Sequence, residues 1–135
     1  MDCIFCKIIS GDIQTTILKE TPNSLSFFDA FPLAKGHVLV IPKNHRQKIQ
    51  DMTIEENADL FSLVHLMISK VDSITGSTLV AVHNGAEAGQ EIPHVHVHLV
   101  PRNKDDSAGS IHSMFNSTLK LSESEINELY NKLKI

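Results

Sequence analysis

The 135-residue sequence predicts one α+β domain with a five-stranded antiparallel sheet, one long central helix and a C-terminal helix. Three observations predict this class. Five short β-rich segments are joined mainly by hairpin turns, and one long segment between the third and fourth has the apolar spacing of a helix. Hydrophobic residues make up 41% and charged residues 21% of the chain, values that are typical of a globular domain and argue against disorder.

The strand predictions rest on β-branched and aromatic segments that are bounded by turn residues. The first two strands flank the turn at residues 21–24, and the third lies between Gly36 and Pro42. The last two follow the central helix and enclose a loop with two glycines. The five predicted strands are residues 15–20, 25–29, 37–41, 78–83 and 94–100.

Two capping boxes predict where the helices begin. Thr53 and Glu56 open the central helix, which extends to about Val71. Ser122 and Glu125 open the last helix in the same way. Apolar residues at helical spacing predict the buried side of each helix. The predicted stripes are Ala58, Phe61, Val64 with His65, Ile68 and Val71 in the central helix, and Ile126, Leu129, Tyr130 and Leu133 in the last one.

A polar segment with glycine and serine, residues 103–110, marks the one predicted boundary along the chain. No internal repeat, low-complexity block or linker precedes it. We therefore predict a domain over residues 1–103, followed by a C-terminal loop and helix over residues 104–135 that packs on this domain.

Charge and composition argue against several classes of function. The net charge is −4 with no basic stripe, which argues against nucleic-acid binding. No apolar run approaches the ~18 residues of a membrane span, and the N-terminus lacks the basic region and cleavage site of a secretory signal, so we expect a cytoplasmic protein with no membrane partner. The two cysteines, Cys3 and Cys6, would close too small a disulfide loop to stabilise the fold.

Three of the eight histidines, His94, His96 and His98, alternate with apolar residues. On a strand this alternation places the imidazoles on one face and the apolar side chains in the core. Such histidines can chelate a catalytic metal or supply a nucleophile whose second nitrogen is oriented by a neighbour. Residues 99–102, directly after the last histidine, offer no carboxylate ligand, whereas the preceding loop offers Asn84, two glycines and Gln90 as neutral donors for a phosphate. We favour the nucleophile, with the catalytic metal as the weaker alternative.

The segment 94–100 matches the His-φ-His-φ-His-φ-φ signature of the histidine-triad (HIT) nucleotide hydrolase/transferase superfamily. The chain resembles this family over roughly residues 2–103, and the terminal helix resembles that of prokaryotic-type members, including diadenosine polyphosphate hydrolases. Further matching blocks, in the family order, are residues 4–9, 28–29, 36–43, 83–85 and 88–90.

The resemblance implies an enzyme that hydrolyses or transfers at the α-phosphate of a purine nucleotide conjugate through a covalent nucleotidyl-histidine. Dinucleoside polyphosphates and nucleoside phosphoramidates are among the implied substrates. The resemblance also implies a homodimer whose two sheets join into ten strands. The alternative function is a purine-nucleotide-binding regulatory protein with negligible turnover.

Individual roles follow from the same resemblance. His96 takes the place of the catalytic nucleophile, and His94 supports the geometry of the site. His98 and Asn84 take the places that contact the phosphate. The other implied nucleotide-binding residues are Ile4, Phe5, Ile8, Phe27, Asp29, Ala30, His37, Leu39, Gly89, Gln90 and Glu91.

Two of these positions have a stated chemistry. Asp29 matches the acidic residue that accepts hydrogen bonds from the ribose hydroxyls. Glu91 stands where many members have a small hydroxyl residue that donates a proton to the leaving group. Its carboxylate would repel an anionic leaving group.

Cys3, Cys6, His45 and His94 form the zinc site that the resemblance implies, because several family members close a zinc site at these places. Four such soft or borderline ligands fit a closed, tetrahedral structural zinc. The alternative is that Cys6 only fills space on a short helix.

Overall fold

The elements of a computed structural model, which describes residues 2–135, confirm the predicted α+β class. A short helix near the N-terminus precedes the five strands and two longer helices. The elements are α1 (Ile4–Ser10), β1 (Ile17–Glu20), β2 (Ser24–Phe28), β3 (Val38–Pro42), α2 (Ile54–Thr75), β4 (Thr78–Val82), β5 (Val97–Pro101) and α3 (Glu123–Leu133). No helix in the described part of the chain is long and apolar enough to cross a membrane.

The five strands form one sheet in the order β1-β2-β3-β5-β4, and every neighbouring pair is antiparallel, as predicted. β3 lies at the centre of the sheet. One cross-strand row runs from Phe27 through Leu39 and His98 to Ala81. Cross-strand neighbours on one row point to the same face. The sheet therefore brings three of the predicted nucleotide-binding side chains together from β2, β3 and β5.

Helix α2 packs against one face of this sheet, but its buried stripe differs from the predicted one. Ala58 is exposed and Phe61 is 39% exposed, whereas Leu60 and Leu63 are almost fully buried. Val64 and Val71 are buried as predicted. The prediction was wrong at Ala58, Phe61 and His65, which are exposed, because α2 carries apolar side chains around much of its circumference and their spacing alone did not fix one face. The buried side consists of Leu60, Leu63, Val64, Met67 and Val71, which pack with Val38, Val40, Val97 and Leu99 of the sheet.

The opposite face of the sheet is covered by the N-terminal segment and α1. Cys3 and Phe5 are buried there against apolar side chains of β2 and β3. Phe5 packs edge-on against the ring of Phe27, with centroids 5.9 Å apart. Because side chains alternate along a strand, this is also the face that the triad imidazoles share.

The last strand, β5, is shorter than predicted, since it begins at Val97 rather than at His94. The N–H of Val95 donates to the carbonyl of Arg46 at 2.7 Å instead of continuing the ladder with β3. The carbonyl of Pro42, at the end of β3, accepts a hydrogen bond from the His94 side chain at 2.8 Å rather than from a main-chain N–H of β5. His94 and His96 therefore lie before the strand, although Val95 and Val97 enter the core as predicted.

The chain forms two compact units, one that ends at Asp105 and one that spans Asp106–Ile135. The second unit contains α3, which begins at the predicted capping box of Ser122 and Glu125. The packing of residues 104–135 on a domain of residues 1–103 stays a prediction.

Candidate active site

A cavity of about 480 Å³ opens beside β3 and β5 on the sheet face that α1 covers. Its walls come from α1, the ends of β2 and β3, and the segment that contains the triad. Twelve of the predicted catalytic and nucleotide-binding residues line it: Ile4, Phe5, Ile8, Phe27, Asp29, Ala30, His37, Leu39, Gly89, Glu91, His96 and His98.

One ring nitrogen of His96 forms a hydrogen bond, and the other has no hydrogen-bond partner among residues 2–135. Its Nδ1 donates to the carbonyl of His94 at 2.7 Å. A neutral imidazole has one donor and one acceptor nitrogen, so Nε2 carries a lone pair. Burial lowers the pKa of His96 below its ordinary value, which keeps the ring neutral near pH 7. Phe5 packs against its edge at 5.1 Å between centroids. The cavity therefore contains an oriented, neutral imidazole.

His98 lies next to His96, with its ring centroid 5.0 Å from that of His96. Its Nδ1 is 3.0 Å from Nε2 of His37, and the same nitrogen of His37 is 3.5 Å from Oδ2 of Asp29. Burial, and then repulsion from the neighbouring His96, lowers the pKa of His98 to about 4. All three side chains line the cavity, so the structure brings them to one place as the sequence suggested.

Asn84 and Gln90 are not among the residues that line the cavity. The Asn84 amide accepts from the N–H of Ile49 at 2.9 Å and donates to Gln50 at 2.9 Å. The Gln90 amide accepts from the N–H of Gly85 and donates to the carbonyl of Gln47, both at 2.8 Å. Both amides fix the loop after β4 to the segment before α2. Contact of Asn84 and Gln90 with a phosphate stays a prediction, because both amides are hydrogen-bonded to protein groups outside the cavity wall.

The sequence analysis missed His83, which also lines the cavity and packs at 5.6 Å from the ring of His98. Its place in the matching block at residues 83–85 was the available signal. Gly89 lies against it: a Cβ at Gly89 would be 3.1 Å from Cδ2 of His83, and the glycine has φ +102°. The apolar rim formed by Phe31 and Leu33 was missed as well, because nothing in their spacing marks them.

The charged side chains of the cavity wall are acidic. Asp29 and Glu91 are the acidic residues of its wall, and among residues 2–135 no lysine or arginine lines it. Three histidines of the wall do not compensate for this charge, because burial lowers the pKa values of His37, His96 and His98. The cavity is therefore suited to a substrate that carries little negative charge beyond one phosphate.

Cys3, Cys6, His45 and His94 form a second cluster, and its four ligand atoms are all within 4.8 Å of one another. Nδ1 of His94 is 3.5 Å from Sγ of Cys3 and 3.7 Å from Sγ of Cys6, and Nδ1 of His45 is 3.4 Å from Sγ of Cys6. A tetrahedral zinc with ordinary bond lengths separates sulfur and nitrogen ligands by ~3.6 Å. The donor set and its spacing therefore fit zinc.

The orientation of His94 supports the same fit. Its Nε2 donates to the carbonyl of Pro42 at 2.8 Å, so its Nδ1 carries the lone pair that faces the cysteines. Metal-ligating histidines are usually oriented by such a second hydrogen bond. Burial raises the pKa of the Cys6 thiol, and the neighbouring thiol of Cys3 raises it further.

Comparison with known proteins adds three findings. A family model described as HIT domain matches residues 10–105. The chain is 41% identical over 106 residues to "Adenosine 5'-monophosphoramidase hnt1" of Schizosaccharomyces pombe, covering 78% of each protein. It also superposes on the "histidine triad nucleotide-binding protein" of Candida albicans with a TM-score of 0.84 and 30% identity, covering 98% of this chain and 95% of the other.

One further structure bears on the cysteine and histidine cluster. A "ZN-bound histidine triad family protein" from Mycobacterium smegmatis is 33% identical, with a TM-score of 0.69 and coverage of 79% of each chain.

Proposed function

The chain belongs to the HIT domain family, and we propose that this nucleotide hydrolase releases a nucleoside monophosphate from purine nucleotide conjugates through a covalent intermediate on His96. One observation carries the proposal. The hydrogen bond from Nδ1 of His96 to the carbonyl of His94 leaves the Nε2 lone pair free beside His98 in the cavity. An imidazole oriented in this way is a nucleophile in acyl- and phosphoryl-transfer chemistry.

The reaction has two steps that return the enzyme to its starting state. Nε2 of His96 forms a bond to the α-phosphorus as the bond from phosphorus to the leaving group breaks, and the leaving group takes up a proton from water. A water molecule then attacks the nucleotidyl-histidine as the bond from phosphorus to Nε2 breaks, its proton passes to the solvent, and the nucleoside monophosphate leaves. The neighbouring His98 stabilises the charge that develops on the phosphate oxygens.

The walls of the cavity suit a nucleoside. Phe5, Phe27 and Leu39 form an apolar slot of the kind in which an aromatic base is buried. Asp29 lies at the edge of this slot and accepts from the N–H of Phe31 with Oδ1. Its Oδ2, which lies 3.5 Å from Nε2 of His37, is the oxygen that we assign to the ribose hydroxyls.

The charge of the cavity favours a nucleoside phosphoramidate over a dinucleoside polyphosphate. A phosphoramidate loses an amine, which is neutral or cationic, whereas a dinucleoside polyphosphate loses a polyanion. The wall offers Glu91 and Asp29 and no lysine or arginine of residues 2–135 to neutralise such an anion. The phosphoramidase name of the S. pombe relative agrees with this choice. A regulatory protein that binds the nucleotide with negligible turnover remains the second candidate.

Zinc and a second copy of the chain complete the proposal. Cys3, Cys6, His45 and His94 would hold a structural zinc with no open position, which ties α1 to the segment before the strand β5. For the homodimer, the support is that β4 is an edge strand with Leu79 and Val80 more than 40% exposed. An unpaired edge with apolar side chains is a template for pairing with another strand. The cytoplasmic location and the absence of nucleic-acid and membrane partners stay predictions.

The test compares His96→Ala with wild type on an adenosine phosphoramidate, with His65→Ala as a matched control because His65 is exposed on α2. We expect kcat to fall by three or more orders of magnitude in His96→Ala, while nucleotide affinity changes by less than about tenfold. Turnover of His96→Ala within tenfold of wild type would contradict the assignment of the nucleophile. Wild-type protein that binds the nucleotide but shows no turnover would favour the regulatory alternative.

A further inference from the structure

We propose that His37 is a positioning residue that fixes His98 in the tautomer with its proton on Nε2, and that the main-chain N–H of Leu33 in turn fixes His37. His96 and His98 would then be held in opposite tautomers, one as the nucleophile and the other as a hydrogen-bond donor. The catalytic meaning of this arrangement rests on the proposed function, but the arrangement itself does not.

The connection between β2 and β3 folds back on the histidine that closes it. Asp29 donates from its N–H to the carbonyl of His37 at 3.0 Å, and His37 donates to the carbonyl of Ala34 at 3.1 Å. Within this turn the N–H of Leu33 points at Nδ1 of His37, 3.0 Å away. A main-chain N–H only donates, so Nδ1 must be the acceptor. The proton of neutral His37 therefore lies on Nε2.

This proton has two acceptors within reach, and their distances differ. Nδ1 of His98 is 3.0 Å from Nε2 of His37, within the ordinary range of such a hydrogen bond, whereas Oδ2 of Asp29 is 3.5 Å away. The main acceptor is therefore His98. Since Nδ1 of His98 accepts, neutral His98 carries its own proton on Nε2. That nitrogen has no hydrogen-bond partner among residues 2–135 that would turn it away from the cavity.

The charge states agree with this chain of hydrogen bonds. Burial lowers the pKa of His37, and His98 has a pKa of about 4, so both rings are neutral near pH 7. A protonated His37 would place an N–H at Nδ1, and this donor would face the N–H donor of Leu33 and break their hydrogen bond. The carboxylate of Asp29 faces His37 and opposes the effect of burial, but it does not change which nitrogen Leu33 occupies.

The same contacts argue against a metal in this place. Asp29, His37 and His98 are close enough in space to hold an ion, since their ligand atoms lie within 4.8 Å of one another. A metal on Nε2 of His37 would require the ring proton to move to Nδ1. The N–H of Leu33 already occupies that position. Hydrogen bonding, rather than coordination, is therefore the chemistry for which these three side chains are arranged.

Opposite tautomers give the two neighbouring imidazoles different tasks. The carbonyl of His94 holds the proton of His96 on Nδ1, which leaves a lone pair on Nε2 for the phosphorus. Leu33 and His37 hold the proton of His98 on Nε2, where it donates to a phosphate oxygen as negative charge develops. With the opposite tautomer, His98 would present a lone pair to that charge and destabilise it.

The direct test is a ¹⁵N spectrum of protein labelled at histidine, which distinguishes protonated from unprotonated ring nitrogens. In wild type we expect His96 to be protonated on Nδ1 and His98 on Nε2 near pH 7, with assignments made from single histidine variants. A His98 proton on Nδ1 overturns the proposal. Because this result needs no turnover, it is independent of whether His96 forms the covalent adduct. It also needs no His37 variant, so it stands even if such variants fold poorly.

Two variants add the functional part of the test. His37→Leu removes the donor to His98, and His37→Gln retains an amide N–H near the place of Nε2. We expect His37→Leu to lower kcat about 10- to 100-fold with KM nearly unchanged and to shift the His98 proton partly to Nδ1. His37→Gln should restore most of the lost kcat and the Nε2 proton. Equal losses in both variants, with the His98 tautomer unchanged in both, would show that His37 only fills space.

Discussion

Replacing His45 with Gln should remove the metal and a large part of the stability that the metal confers. His45 contributes one of the four ligand atoms of the proposed zinc site, at 3.4 Å from Sγ of Cys6. Metal that binds only the folded state stabilises it by about 2.7 kcal/mol when free zinc is 100 times the dissociation constant. A domain of about this size melts ~4 °C earlier per kcal/mol lost. We therefore expect His45→Gln to melt about 10 °C below the zinc-loaded wild type.

The assay combines thermal melting with elemental analysis of protein purified without chelator. The wild type should contain close to one zinc per chain, and His45→Gln far less. His65→Gln is the matched control, since it makes the same substitution at an exposed position of α2. A chelator should lower the melting temperature of wild type and of His65→Gln but leave His45→Gln unchanged, because that variant has no zinc to lose.

Two results would refute this reasoning. One is wild-type protein with less than a tenth of an equivalent of zinc and a melting temperature that does not respond to the chelator. The other is a chelator effect of the same size in His45→Gln as in wild type, since the effect would then come from elsewhere. Either result would assign Cys3 and Cys6 to ordinary packing.

Two further predictions concern charge. Glu91→Gln removes a carboxylate from the cavity wall, so it should raise kcat/KM for a dinucleoside polyphosphate about 5- to 30-fold relative to a phosphoramidate. An unchanged ratio of the two kcat/KM values would show that Glu91 does not select the leaving group. The hydrogen bonds from Arg46 lower the pKa of Glu56 in the folded protein. The ion pair between the two side chains therefore stabilises the fold above the unfolded pKa of about 4.3. This stabilisation is lost as the pH falls through the lower pKa of the folded state. Glu56→Gln should therefore melt several degrees below wild type at pH 7, and this difference in melting temperature should disappear toward pH 3. Glu55→Gln, at the exposed neighbouring position, should melt with wild type. A difference that does not change with pH would contradict the stabilising ion pair between Arg46 and Glu56.

Local patterns in the sequence were sufficient to predict the elements and the alternation around the triad. Thr53 and Glu56 form the predicted capping box, and each side chain bonds the other's main-chain N–H. Val95 and Val97 enter the core on the α2 side. These features depend on contacts between residues that are close in the sequence. The spacing of polar and apolar residues along the chain contains this local information.

The features that the sequence did not predict depend on partners far along the chain. The start of β5 is set by the carbonyl of Arg46, which takes the N–H of Val95. The Asn84 amide is directed by the N–H of Ile49, 35 residues away. His83 enters the cavity wall only because β4 pairs with β5 at the edge of the sheet. Neither periodicity nor composition encodes such contacts, so the resemblance to the family rather than the pattern led to most of the cavity residues.

The intact mass of protein that is quenched during turnover tests whether the nucleotide forms a covalent bond to His96. Wild type mixed with an adenosine phosphoramidate and denatured within one turnover should show a mass increase of one nucleotidyl group, and peptide mapping under non-acidic conditions should place it on His96. The increase should be absent from His96→Ala and present in the His65→Ala control. Turnover without any adduct, or an adduct on another residue, would contradict the account.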